Sequence, residues 1–276
     1  MPEDIVLREI LCKSALTKTG IPGYQFCINP YVGCSHRCAY CYASFMCRFS
    51  GHREGWGQFL DVKINFPLVL DKQLNGRVRR EGRVILGSVT DTYQPAEFRY
   101  RITRSCLELL SRHPELEVNI LTKSALVSRD IPILRELQGC EVGFTITTTD
   151  PNAAQVIEPG ASLPQQRLEA AGELLDNGIP VWVFIAPLLP GLSDSDESLD
   201  QLFKQLKQTG IKEILIDSLN PYPTAVANLK AIYIKNFPDY LPVLEEYLRD
   251  PGAYRNIIGN RLRRISRQAG CQFDLI

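Results

Sequence analysis

Strand-like and helix-like segments alternate six times along this chain, and that alternation restricts its fold more than any other feature. The strand candidates are Tyr24–Asn29, Arg83–Ser88, Leu116–Thr122, Glu141–Thr147, Val181–Ala186, which Pro187 is expected to end, and Lys212–Asp217. The spacing predicts helices over Phe98–Ser111, Leu126–Leu137, Pro164–Asn177 and Asp196–Gln208, the last two stopped by Gly178 and Gly210. Strands alternating with helix-length segments read as βαβ units on a parallel sheet. The expectation is an α/β fold, a partial (β/α)6 barrel of the TIM type over residues 1–220. A helical C-terminal extension over residues 221–276 is expected to pack on it. A chain of 276 residues buries most of its apolar surface and needs no staple to fold.

In such sheets ligands gather at the carboxyl ends of the strands. Those ends carry the chemically capable residues here. A cysteine loop follows the first strand, Ser88–Asp91 the second and Thr122-Lys123 the third. Thr145 and Thr147 end the fourth, Pro187–Pro190 follow the fifth and Ser218–Tyr222 the sixth.

The loop reads Gly33-Cys34-Ser35-His36-Arg37-Cys38-Ala39-Tyr40-Cys41-Tyr42, a C-x3-C-x2-C spacing. Nine cysteines cannot all pair, and three within eight residues favour metal over disulfides in a reducing compartment. Zinc usually takes four ligands, and His36 inside so short a loop is an awkward fourth. A cubane [4Fe-4S] cluster held by three thiolates keeps one iron free of protein ligands, and an open position is what a catalytic centre needs. The other six cysteines are scattered and read as small buried hydrophobes. His36 and His52 read as loop hydrogen-bonders, and Trp182 as core.

Acidic and basic residues balance at 31 each, so the net charge gives no argument for nucleic acid. Between Pro251 and Phe273 there is no acid, while Arg255, Arg261, Arg263, Arg264 and Arg267 all occur. That reads first as a solvated helix face and second as a phosphate-contacting patch. No run of about 18 apolar residues exists to span a membrane. The start, MPEDIVLREI, lacks the basic-then-apolar pattern of a signal peptide, so a cytoplasmic location is expected.

The run Asn29–Ala43 around the cysteines resembles the loop of the spore photoproduct lyase, or DNA repair photolyase-like, family of radical S-adenosylmethionine (SAM) enzymes. So do Ser88–Glu97, Leu121–Asp130, Glu158-Pro159, Arg167-Leu168 and Pro187–Asp194, and the resemblance covers roughly residues 25 to 220. It implies a radical SAM barrel with a [4Fe-4S] cluster on Cys34, Cys38 and Cys41. SAM would bind the open iron and be cleaved to a 5′-deoxyadenosyl radical that abstracts hydrogen from substrate. The resemblance places Tyr42 as a hydrogen relay near SAM, with Tyr40 beside it. Lys123 with Ser124, Thr145 or Thr147, Asp91 and Ser88 would line the cofactor. It implies a flavodoxin or ferredoxin as electron donor. The substrate is a small or peptide-linked molecule, or a nucleic acid base. One departure matters. Spore photoproduct lyases place a hydrogen-donating cysteine where this chain has Ser88. An O–H bond is much stronger than an S–H bond, which argues against direct thymine-dimer reversal. Tyr93 is the substitute donor to consider.

Overall fold

In the computed structural model, which describes residues 5–276, eleven strands form two sheets. The first four residues, on which part of the leader reading rests, lie outside the described residues. The strands are β1 Val6–Ile10, β2 Leu16–Lys18, β3 Phe26–Ile28, β4 Tyr31–Val32, β5 Phe59–Lys63 and β6 Gly82–Leu86. There follow β7 Leu116–Thr122, β8 Glu141–Thr145, β9 Val181–Leu188, β10 Glu213–Ser218 and β11 Asp274–Leu275. The large sheet runs β11-β10-β9-β8-β7-β6-β3-β2. From β3 to β11 every pairing is parallel; β2 is antiparallel to β3.

The six expected strands therefore form a sheet in sequence order with its two edges unpaired to each other, the topology of a partial barrel. Its interior strands are apolar runs such as Val118, Ile120, Val142, Phe144, Val183 and Ile185, all buried. Helices cover such strands, so the runs are continuous rather than strictly alternating. At β8, Gly143 leaves room for the Trp182 indole, which an added Cβ would meet at 2.4 Å. Trp182 is core, as its sequence context suggests.

Three expectations on element boundaries need correction. The helix expected over Phe98–Ser111 is two helices, Ala96–Tyr100 and Ile102–Leu110, broken at Arg101 with φ 53°. Glu97 is the reason. Its buried carboxylate accepts from the N–H groups of Thr103 (3.0 Å) and Arg104 (3.2 Å), so it satisfies the open N-terminus of the second helix. The segment expected as one helix over Leu126–Leu137 is a 3-10 turn, Ala125–Asp130, then a short helix, Ile131–Leu134. Pro132 sits in the first turn of that second helix and cannot continue an earlier one. Strand β9 does not end at Pro187. It runs to Leu188 through a cis Ala186–Pro187 bond, where its pairing with β10 shifts register.

The small sheet runs β1-β5-β4, with β5 parallel to β1 and antiparallel to β4. The sequence reading misses it because its members are two to five residues long. The chain beyond Tyr222 is helical as expected, over Pro223–Asn236, Leu241–Arg249 and Pro251–Ala269, and closes with β11 on β10. These helices grip the loop after β9. Tyr233 donates to the Pro190 carbonyl at 3.0 Å, Tyr254 to the Asp194 carboxylate, and Arg261 to the Asp194 carbonyl at 2.6 Å. Arg261 and Arg264 also pair with Asp196, so the arginine-rich face is partly spent on docking its own helix. No helix among the described residues is long and apolar enough to cross a membrane.

Burial pushes the Asp194 carboxyl up to about 6, although the Gly191 N–H and Arg261 oppose it. A folded-state value above the unfolded one means the folded chain holds the proton more tightly. The stability this gives is present at low pH and lost as pH rises through about 4 to 6. At about 1.4 kcal/mol per unit, the loss is about 3 kcal/mol. Urea unfolding of the wild type and Asp194→Asn at pH 4 and pH 8 should show the variant gaining on the wild type by that order at the higher pH. Equal pH dependence in both would place the effect elsewhere.

Candidate active site

The cysteine loop begins after β4, where Gly33 adopts φ 88° and lies against the Phe59 carbonyl, which an added Cβ would meet at 2.4 Å. From there the loop is fastened by contacts from distant parts of the chain. The Gln94 side-chain oxygen accepts from the Ser35 N–H (2.8 Å) and hydroxyl (3.1 Å). The Thr90 hydroxyl donates to the Gly33 carbonyl. Ala39 N–H donates to the Ile157 carbonyl at 2.9 Å, and Gly160 N–H to the His36 carbonyl at 3.0 Å. Gly160 lies so close that an added Cβ would meet the Ser35 carbonyl oxygen at 2.1 Å. Arg37 takes a left-handed conformation, φ 56°, and its guanidinium donates to the Gly57 carbonyl at 2.8 Å.

Asp91 ties this loop to the ends of β6 and β7. One carboxylate oxygen accepts from Tyr93 N–H (2.8 Å) and the Thr122 hydroxyl (2.7 Å). The other accepts from Lys123 N–H (2.7 Å) and lies 3.3 Å from the His36 ring. Burial raises this carboxyl, but His36 and the N–H and O–H donors outweigh it and hold it at about 2. Both oxygens are committed to protein partners. Asp91 thus organises the loops around the site.

The three sulfurs are within electrostatic reach of one another. Burial pushes each thiol up, the Cys34 thiol to about 12, and Cys41 raises both Cys34 and Cys38 further. Opposing this are groups that favour thiolate. The N–H groups of His36 and Asp91 face the Cys34 sulfur. Those of Ala43 and Ser44, with the Trp56 side chain, face that of Cys41. The Lys123 ammonium acts on Cys38 and Cys41 and lies 5.6 Å over the Tyr40 ring. Burial works against that ammonium, but Cys38 and Glu158 outweigh it and raise its pKa.

Behind Tyr40 is a buried triad absent from the expected site. The Tyr40 hydroxyl donates to Glu158 and lies 3.1 Å from the Thr147 hydroxyl, and Glu158 is ion-paired with Arg167. Burial raises the Glu158 carboxyl, but Arg167, Lys123 and Tyr40 outweigh it and hold it low. Arg167 also donates to the Thr145 carbonyl at 2.8 Å. The available signals were the Glu158-Pro159 and Arg167-Leu168 dipeptides; nothing in their spacing linked them to each other.

The structure distributes the remaining expected residues as follows. Tyr42 is exposed at the mouth, its hydroxyl donating to the Ser88 carbonyl at 2.7 Å. The Ser88 hydroxyl accepts from the Asn29 amide at 2.8 Å. Thr145 and Thr147 are buried at the end of β8. The Ser124 hydroxyl accepts from Leu126 N–H at 3.3 Å and so caps the following turn. Tyr93 is enclosed. It is 0% exposed and its hydroxyl donates to Asp130, so it belongs to the core. His52 is a loop hydrogen-bonder, 2.8 Å from Asp61. Cys106 and Cys140 are buried in apolar surroundings.

Residues 28–203 match the family model of the radical SAM superfamily. The chain belongs to the radical SAM superfamily. Enzymes of this superfamily use a [4Fe-4S] cluster and SAM. An uncharacterized protein of Methanocaldococcus jannaschii is 36% identical over 195 residues, 70% of this chain and 72% of its own length. An uncharacterized protein of Mycobacterium tuberculosis is 33% identical over 227 residues, 79% of this chain and 66% of its own length. A solved spore photoproduct lyase with bound AdoMet and dinucleoside spore photoproduct superposes with a TM-score of 0.69. It covers 98% of this chain and 81% of its own at 16% identity, a likeness of fold.

The radical SAM site residues fit the superfamily's cluster. Burial raises all three thiols, and a coordinated iron would favour their thiolate forms. His36 is engaged by Asp91. Gly160→Ala should push the loop aside while the barrel stays folded. The expected readout is less iron bound per chain after anaerobic reconstitution, with a melting temperature near wild type; full loading would show the contact to be dispensable. Glu158→Ala strands the Arg167 and Lys123 charges in the interior, and breaking such a buried pair costs about 3–5 kcal/mol in urea unfolding.

Proposed function

We propose that this enzyme holds its cluster on Cys34, Cys38 and Cys41, cleaves SAM reductively and abstracts hydrogen from a substrate at the C-terminal ends of the strands. Three cysteines of one loop within electrostatic reach of one another, faced by amide donors and a lysine, carry this reading. A [4Fe-4S] cluster on three thiolates supplies an iron without a protein ligand, where SAM binds, and the electron that cleaves it.

The protein's own part is to place groups and exclude water. Lys123 offers N–H donors suited to a carboxylate. The Glu158–Arg167 pair fixes the Tyr40 ring on which that ammonium rests, and Thr147 holds the Tyr40 hydroxyl from the other side. Thr145, its carbonyl anchored by Arg167, lies in the same layer. Tyr42, anchored through its hydroxyl to Ser88, stands where substrate enters and is the candidate to relay hydrogen. Ser88 itself cannot return a hydrogen atom as a thiol does, and Tyr93 is enclosed in the core. Direct thymine-dimer reversal therefore lacks its donor. A small or peptide-linked substrate is the leading reading. A nucleic acid base is the second, favoured by the fold likeness to a lyase solved with a dinucleoside spore photoproduct. The electron comes from a flavodoxin or ferredoxin in the cytoplasm.

The test is an anaerobic assay of 5′-deoxyadenosine from SAM with dithionite. Cys38→Ala should abolish both product and proper cluster loading; retained cleavage would show the ligands to be misassigned. Lys123→Met should raise the KM for SAM about tenfold, the loss of one charge-assisted contact of about 1.4 kcal/mol. A thymine-dimer oligonucleotide should leave the rate unchanged; stimulation would revive the nucleic acid reading.

A further inference from the structure

A cavity of about 190 Å³ lies between the two sheets, bordering the cysteine loop at Gly33. None of Tyr40, Tyr42, Lys123, Thr145 or Thr147 lines it, so it is separate from the place proposed for SAM. Its walls are mostly apolar: Ala15, Tyr31, Val32, Trp56, Phe66 and Val89. One charged side chain reaches it, Lys63, and no carboxylate lines it.

Lys63 is held in place. Its ammonium donates to the Asn29 carbonyl at 2.7 Å and lies 5.5 Å over the Phe66 ring. An ammonium has three N–H donors, and among the described residues no second acceptor takes the others. Asp61, the acid that acts on it, is bonded to His52. Burial lowers the Lys63 pKa, though Cys12, Cys27 and Asp61 oppose it, so the cation gains from an anionic partner. A mostly apolar space with few fixed polar groups is how small-ligand sites are built. The volume is that of about six waters at about 30 Å³ each, enough for a single ring and a short acidic arm.

We propose that this cavity binds a small carboxylic acid with an apolar, ring-sized body, its carboxylate on Lys63 and its ring against Trp56, Tyr31 and Phe66. Gly33 precedes Cys34, and Trp56 faces the Cys41 sulfur, so the occupant lies against two of the loop's anchors. Binding there requires no SAM.

The probe is phenylacetate, titrated into the reconstituted enzyme by calorimetry. Saturable binding at one site per chain is expected. Phenylacetamide, of the same shape without the charge, and the Lys63→Met variant should each bind or be bound at least about tenfold more weakly, the worth of one charge-assisted contact. Val89→Phe fills the cavity without touching Lys63 and should abolish binding at an unchanged melting temperature. No saturable binding to the wild-type enzyme, equal affinity for acid and amide, or wild-type affinity in folded Lys63→Met or Val89→Phe would overturn the proposal. 5′-Deoxyadenosine formation measured on the same preparation separates the two ideas. Its presence without phenylacetate binding overturns this site alone, and its absence with binding overturns the SAM reading alone.

Discussion

The crowding of three cysteine sulfurs in one buried loop is the constraint to which the rest of this structure answers. Burial raises the pKa values of these thiols, and Cys41 raises those of Cys34 and Cys38 further. The surrounding protein supplies every countermeasure available to it: main-chain N–H groups, the Trp56 side chain and the Lys123 ammonium. Lys123 then needs a home of its own, and Glu158 provides the charge while Tyr40 provides the ring. Arg167 in turn balances Glu158. A chain of alternating charge thus runs from the sulfurs into the core, each member tolerable only because of the next.

The scaffold serves the same end from further away. Parallel strands bring their C-terminal ends to one face, and Asp91 uses that arrangement to bind the ends of β6 and β7 to His36 of the loop. Glu97 works similarly one layer out. Its carboxylate closes the N-terminus of the helix Ile102–Leu110 and also meets Tyr31, which precedes the loop, and Arg129. At the other edge, tyrosines from the C-terminal helices fasten the loop after β9. The C-terminal helices are part of what holds the mouth in shape.

What was legible in the sequence follows from range. The βαβ alternation is a local pattern and reads correctly; the cysteine spacing and the positions of Lys123 and Thr147 after strands are local too. The Glu158–Arg167–Tyr40 group joins residues 118 apart in sequence and leaves no periodic trace. Tyr93 and Ser124 share motifs with neighbours that do face the site, yet one points to Asp130 and the other caps a turn. Side-chain direction decides such cases, and motif position does not carry it. The helix break at Arg101 escaped notice because its cause, Glu97, caps through tertiary burial rather than through a familiar cap residue. The small sheet of β1, β5 and β4 escaped because strands of two to five residues are too short to show a period.

The fastening of the cysteine loop has a consequence for how the protein comes into being. Its anchors, Gln94, Asp91, Ile157, Glu158 and Gly160, come from segments that lie far along the chain, 59 residues away for the Ser35–Gln94 contact. An unfolded chain therefore offers three unrelated thiols and no nest. Unlike a zinc finger, whose metal creates the fold, this loop is shaped by contacts that exist only where the sheet as far as the segment after β8 has closed.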